Sequence, residues 1–189
     1  MENIDKKRGR PKLDQAKLSK EILLRCANEL LQGSGKVPSI RKIARNLDVD
    51  PMAIYHYFPS KSALLEGVTV SLMEGIYIPQ SDATWEDQLK FLCCSYLDLL
   101  KTYSGLLETF LSMSTKGPAH VFIARFNTII APLGLSEEDM KNSLDLLADY
   151  LHGFALSIHC APMKDSLTLD SLDGPLNFYI KALSANMIR

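Results

Sequence analysis

From residue 19 onward, apolar positions recur every three or four residues, and no alternating run long enough for a useful β-strand appears. Ser19 stands where a helix N-cap belongs. The helix it predicts runs to about Gln32, with Ile22, Leu23, Cys26, Ala27, Leu30 and Leu31 on one face. "GSGK" at 33–36 stops it, with Gly33 suited to the left-handed position after a helix. Ser39 caps a short helix over 40–47 that turns Ile40, Ile43, Ala44 and Leu47 inward. Asp48 and Val49 make a tight turn, since Asp tolerates positive φ better than most side chains. Asp50 caps a second short helix, and Pro51 sits in its first turn, where a missing N–H costs nothing. Two short helices joined by about three residues, with Val49 anchoring the turn, have the form of a helix-turn-helix.

After "FPSK", Ser60 caps a helix to about Gly75 with Leu64, Leu65, Val68, Leu72 and Met73 inward. The linker "YIPQSDAT" leads to a helix from about Trp85 to Tyr103, and further helices follow near 105–114 and 119–131. Ser136 and Asp139 form a capping-box-like start to a long helix reaching about Cys160. Gly174-Pro175 opens a last helix to about Met187. The expected fold is all-α. A basic arm (1–18) precedes a three-helix helix-turn-helix domain (19–66), and a helical ligand-binding and dimerisation bundle (67–189) completes the chain.

Charge divides the chain in the same place. The whole carries a net of −1, yet residues 1–61 hold 13 Lys/Arg against 7 Asp/Glu, while 62–189 hold 8 against 15. "KKRGRPK" at 6–12 packs five positive charges into seven positions. A basic front on an acidic body points to an anionic partner at one end, nucleic acid ahead of a merely solvated surface. No apolar run approaches the ~20 residues that cross a bilayer, and no apolar h-region follows the basic start. No membrane role is expected, and a cytoplasmic location is. The four cysteines (Cys26, Cys93, Cys94, Cys160) lack metal-ligand spacing and read as reduced core thiols, with redox sensing as the alternative.

In a helix-turn-helix the first residues of the second helix approach base edges in the major groove. Here these are Pro51, Met52, Ala53 and Tyr55. The first three have no hydrogen-bonding side-chain groups and suit thymine methyls and sugar; Tyr55 can do either. Arg41 is the candidate for a bidentate contact to guanine, while Ser39, His56, Tyr57 and Lys61 suit phosphate oxygens. For Tyr55 and Tyr57 the alternative is packing against the first helix.

"SIRKIARNLDVDPMAIYHYFPSKSALLEGV" resembles the DNA-binding signature of the tetracycline-repressor (TetR) family of bacterial regulators. The matching residues are Ser39, Arg41, Ile43, Ala44, Val49, Tyr55, His56, Tyr57, Phe58, Lys61 and Leu64. Asp48 departs from the family turn, which commonly has Gly. With the first helix, the strong match covers about 19–68; "WEDQLKFLCCSYLDLL" and the long late helix resemble the ligand-binding part of the tetracycline repressors more loosely. The resemblance implies a homodimer whose N-terminal helices bind double-stranded DNA and whose body holds one small ligand. Beside such a domain, "RGRP" has the core of an AT-hook, and Lys7, Arg8, Arg10 and Lys12 suit an A·T-rich minor groove. A disordered arm adding only non-specific attraction is the other reading.

Candidates for lining a ligand cavity are Phe91, Cys94, Tyr96, Phe110, Met113, Phe122, Phe126, Tyr150 and Phe154, each also acceptable as plain core. In an ungapped alignment, the positions where tetracycline repressors use polar groups on a magnesium–drug chelate are Tyr77, Leu92 and Phe110 here. The expected effector is therefore lipophilic and metal-free, with no cofactor and no metal site. His120, His152 and His159 do not cluster at ligand spacing and read as structural. Leu144, Leu147, Ala148, Leu151, Ala155 and Ile158 on the long helix form one stripe, and Leu176, Tyr179, Ile180, Leu183 and Met187 on the last helix form another. Both suit a four-helix contact across a two-fold axis, the alternative being burial within one subunit. No nucleophile–base pair, phosphate-cradling loop or telling carboxylate pair suggests an enzyme. The expected function is a repressor released from a palindromic operator by a small lipophilic effector; the alternative is control by a protein partner or redox change.

Overall fold

Side-chain caps explain where the helices begin. In the computed structural model, which describes residues 18–34, 37–103, 106–113, 117–160 and 168–185, the Ser19 hydroxyl accepts from the Ile22 N–H at 3.3 Å and starts α1 (Lys20–Ser34). Ser39 accepts from the Lys42 N–H at 3.2 Å at the head of α2 (Ile40–Asn46). Asp50 accepts from the Met52 N–H at 2.8 Å before α3 (Pro51–Tyr55), and Ser60 from the Ala63 N–H at 3.0 Å before α4 (Lys61–Met73). Each cap satisfies an N–H that has no partner in its own helix, a contribution of about 1 kcal/mol. Thr84 does the same for α5 (Trp85–Thr102), and Ser136 accepts from the Asp139 N–H ahead of α8 (Glu137–Cys160). Between them lie α6 (Leu106–Ser112) and α7 (Gly117–Ile130), and α9 (Asp173–Ala185) closes the described chain. No strand occurs among the described residues.

Two compact units result, 1–65 and 66–189, with the boundary inside α4. In the first, α2 packs on α1 and α3 on α2. Leu23, Cys26, Ala27, Leu31, Ile40, Ile43, Ala44, Ile54, Phe58 and Leu64 make its core. Full burial of an Ile or Leu contributes about 1.5–3 kcal/mol, so a handful of such residues holds three short helices that would not persist alone. The turn between α2 and α3 holds Asp48 at φ 52°, the left-handed conformation expected there.

In the second unit α5 is the axis against which α7, α8 and α9 pack. Leu89, Leu92, Cys93, Leu97 and Leu100 are buried along it. Gly134, at φ 62°, ends the short 3-10 turn 131–133 and lets the chain reverse into α8. Between α4 and α5 the linker is fastened by side chains. Ser95 Oγ accepts from the Tyr77 N–H at 2.8 Å, and Gln88 both accepts from the Gln80 N–H at 2.9 Å and donates to the Ala83 carbonyl at 3.0 Å.

Several sequence expectations are corrected. Gly33 lies inside the last turn of α1 rather than in a left-handed cap. α4 ends at Met73, because residues 74–76 turn away as a bend. Cys160 is exposed, while Cys26 and Cys93 are buried and Cys94 is half-buried. The stripes assigned to a dimer contact lie largely inside the chain. Leu147, Leu151 and Ala155 of α8 and Leu176, Ile180 and Leu183 of α9 are buried in their own subunit, and the Tyr179 hydroxyl donates to the Ser143 carbonyl at 2.8 Å. What these helices leave exposed is Leu146, Tyr150 and Leu156 on α8 and Phe178 on α9, the last 77% accessible. Met187 lies outside the described residues.

Candidate nucleic-acid interface and ligand cavity

α3 is a helix of five residues, held by its cap at one end and by two buried side chains, Ile54 and Phe58, underneath. With those anchors inward, the opposite side shows Pro51, Met52, Tyr55 and His56 to solvent, and Ala53 is half-buried. Met52 is 65% and Tyr55 42% accessible, so both side chains are free to meet a partner. Arg41, Lys42 and Arg45 on α2 and Lys61 at the head of α4 are also exposed, and none makes an ion pair with another described residue. The Ser39 hydroxyl accepts from its own helix yet keeps its hydrogen to donate. The result is a short, exposed helix with apolar and phenolic tips, with unneutralised cations on the helices before and after it in the chain.

Tyr57 is a correction. Its hydroxyl donates to the Leu18 carbonyl at 2.6 Å and its ring is half-buried, so it ties the chain two residues before α1 to the chain two residues after α3. A phenol committed to a carbonyl 39 positions away has no proton to offer a phosphate; the packing alternative describes it. Lys7, Arg8, Arg10 and Lys12 lie outside the described residues.

The second unit contains a cavity of about 250 Å³. Its walls are Met73 of α4, Tyr96 of α5, Phe110 and Leu111 of α6, Met113, then Pro118, Ala119, Phe122 and Ile123 of α7, and Leu144, Asp145, Ala148 and His152 of α8. Three rings line one side: Tyr96 stacks near Phe110 at 6.5 Å and tilts against Phe122 at 5.0 Å. The buried polar feature is a pair, the Tyr96 hydroxyl and His152 Nε2 at 2.8 Å. Burial pushes the Tyr96 phenol well above its usual pKa, and burial holds His152 below the usual imidazole value against a smaller opposing pull from Asp149. Near neutral pH both are uncharged, so the pair presents a neutral hydrogen-bonding point in an apolar wall. Asp145 is exposed and paired with Lys141 at 2.6 Å. No Lys or Arg lines the cavity.

Of the nine residues expected to line it, four do: Tyr96, Phe110, Met113 and Phe122. The other five are placed elsewhere. Phe91 lies on the outer side of α5 against Tyr77, ring centres 5.4 Å apart. Phe126 is fully buried core, one turn beyond the cavity. Cys94 is half-buried, where the charges of Asp173 and Asp98 add to burial in raising its thiol pKa. Tyr150 packs its ring on Phe154 at 6.1 Å, outside the lining. Sequence reasoning missed Met73, Leu111, Pro118, Ala119, Ile123 and the α8 set. The i, i+4 series Leu144, Ala148, His152 was the available signal, and it was divided between a dimer stripe and a structural histidine. The three positions matched to the chelate of tetracycline repressors do not converge either. Phe110 lines the cavity, Leu92 is core and Tyr77 faces Phe91. Among the described residues no group of three His, Cys, Asp or Glu side chains could hold a metal ion, and no helix is long and apolar enough to cross a membrane.

Comparison with known proteins follows the same division. Residues 27–68 match the family described as bacterial regulatory proteins, tetR family, and residues 78–169 match the tetracyclin repressor-like C-terminal domain. The HTH-type transcriptional repressor DrrR1 of Streptomyces coeruleorubidus is 25% identical over 122 residues, 63% of this chain and 45% of that protein. The tetracycline repressor protein class C of Escherichia coli is 32% identical over 91 residues, 46% of this chain and 42% of that protein. The chain thus aligns with less than half the length of these curated relatives. Among solved structures, the Streptomyces coelicolor TetR family protein ActR in complex with actinorhodin superposes with a TM-score of 0.75 at 18% identity, covering 91% of this chain and 98% of that one, a likeness of fold. With its paired short helices under one match and its cavity-bearing helical body under the other, this chain belongs to the TetR family of bacterial regulatory proteins.

Proposed function

We propose that the protein is a dimeric, sequence-specific DNA-binding regulator of transcription, acting as a repressor that leaves a palindromic operator when a small lipophilic effector fills the cavity. The observation that carries this reading is the capped five-residue α3, presenting Met52 and Tyr55 outward beside unpaired Arg41 and Lys61. An apolar side chain at 65% exposure on a rigid, cation-flanked helix end suits thymine methyls in a major groove. The family and the printed function of DrrR1, a transcriptional repressor, support it. A location in the cytoplasm and an absence of catalysis follow from the same reading.

For the dimer, α8 and α9 remain the proposed elements, through Leu146, Tyr150, Leu156 and Phe178 rather than the stripes read from sequence. Exposed Gly153, with nothing within 4 Å of a β-carbon there, allows a partner helix to approach closely between Tyr150 and Leu156. Two reading helices must stand one DNA turn apart, ~34–36 Å, to enter successive major grooves. An effector that binds better to an arrangement with another spacing lowers DNA affinity by that difference.

The cavity narrows the effector's chemistry. Aromatic, methionine and aliphatic walls favour a lipophilic, ring-containing molecule, the Tyr96–His152 pair favours one polar group on it, and the lack of lining cations disfavours an anion. Selection of bound sequences from a random duplex pool, followed by thermal melting against uncharged aromatic compounds, tests the whole reading. A palindrome and a raised Tm with some of these compounds are expected. Failure to enrich any sequence would sink it.

A further inference from the structure

We infer that Arg125 is the positioning residue that passes occupancy of the cavity to α4, and along that helix to the DNA-reading unit; this rests on the reading given under Proposed function. Arg125 projects from α7, and its Nη1 donates to the carbonyls of Ile76 at 2.5 Å, Tyr77 at 3.3 Å and Met73 at 3.4 Å, while Nη2 donates to Glu74 at 2.9 Å. One guanidinium therefore grips four carbonyls, all between 73 and 77, where α4 ends. The last carbonyls of a helix have no partner within it and carry its negative pole, so a planar, permanently charged fork is well suited to hold them.

The other end of the same helix pair carries the complementary contact. Gly117, the first residue of α7, lies so close to Glu66 of α4 that a β-carbon there would stand 2.7 Å from Glu66 Oε1. A carboxylate thus meets the positive pole of α7, and a guanidinium meets the negative pole of α4. Glu66 faces the start of α7 and residues 73–77 face Arg125, so the two helices run in the same direction with a tie at each end.

The cavity wall lies between these ties. Met73, whose carbonyl Arg125 holds, lines it, and so do Ala119, Phe122 and Ile123 of α7. Phe122 is one turn before Arg125. An occupant that displaces α7 through Phe122 and Ile123 drags the four carbonyls, and the bend they belong to is a stiff block because Ser95 and Gln88 brace the residues that follow. The boundary between the two units falls within α4, so the displacement is passed along that helix toward the reading unit. Arg125 lines neither the cavity nor the reading face.

A built-in occupant tests this without knowledge of the effector. Ala148→Phe fills the cavity from α8, and affinity for a selected operator is measured by fluorescence anisotropy for the native chain, Ala148→Phe, Arg125→Lys and the double variant. Ala148→Phe is expected to weaken operator binding by ~5–150-fold when Arg125 is present, and by less than ~3-fold on Arg125→Lys, which keeps the charge and loses the fork. The same factor in both backgrounds, or no effect of Ala148→Phe on the native chain, overturns the proposal. In either case operator binding by the native chain leaves the DNA-binding reading standing, and only its absence removes that. A merely structural Arg125 would shift Tm and affinity together without changing the factor. Should Arg125→Lys fail to fold, hydrogen exchange decides: Ala148→Phe is expected to change amide protection at 76–78, which do not line the cavity, and unchanged protection there overturns the proposal.

Discussion

Replacing Arg41 and Lys61 one at a time separates reading a sequence from holding a backbone. Both side chains are exposed and unpaired among the described residues, Arg41 at the second position of α2 and Lys61 at the first of α4. A bidentate Arg–guanine contact discriminates by ~1–3 kcal/mol. Even at the lower bound, two half-sites multiply to roughly 30-fold, since each ~1.4 kcal/mol is a factor of ten. Arg41→Ala should therefore lose at least that much on the selected operator, and far less on a random duplex, where only a charge is missing. Lys61→Ala should weaken both duplexes alike. Each lost phosphate contact lowers the slope of log affinity against log salt by ~0.9, or ~1.8 for a dimer, so between 50 and 200 mM salt the variant should lose ~12-fold less affinity than the native protein. Anisotropy titrations at four salt concentrations on both duplexes supply every number. If the two variants show the same ratio of specific to random loss, or if Lys61→Ala leaves the slope intact, the assignment of roles is wrong.

Three further outcomes follow from particular residues. At φ 52° Asp48 occupies a conformation that a β-branched side chain reaches at a cost of ~1–2 kcal/mol, so Asp48→Val should lower Tm clearly while Asp48→Gly, whose gain in the turn is offset by a freer unfolded chain, should stay within ~0.5 kcal/mol; thermal melting distinguishes them. Because burial depresses the His152 pKa in the folded state, the unfolded chain takes up the proton first as pH falls below ~6.5. Stability should then decline from about pH 6.5 downward, the fall in Tm from pH 7.5 to 5.5 being smaller in His152→Gln; an equal fall would remove His152 as its source. Finally, Leu146→Lys with Phe178→Lys should convert the proposed dimer to monomer in sedimentation velocity without lowering helical content, and a persistent dimer would place its interface elsewhere.

Local chemistry is what one strand of letters determines well. Ser19, Ser39, Asp50, Ser60 and Ser136 begin helices because their oxygens sit two or three residues before orphan N–H groups, a relation contained in a few consecutive positions. The same proximity made the left-handed Asp48 and the outward Met52 and Tyr55 legible, and with them the family and its DNA-reading helices. Tertiary structure decided which way each long helix faces. α8 is apolar on more than one side: Leu147, Leu151 and Ala155 enter the core, Leu144, Ala148 and His152 the cavity, and Leu146, Tyr150 and Leu156 face outward. Periodicity detects such a helix but cannot apportion its faces, because the spacing is common to all three. The contacts that rearranged roles, Tyr57 to Leu18, Tyr96 to His152 and Arg125 to the end of α4, join residues 39 to 56 positions apart. A hydrogen bond of that reach depends on where separate helices come to rest, which the packing of their buried side chains sets and no short window of sequence contains.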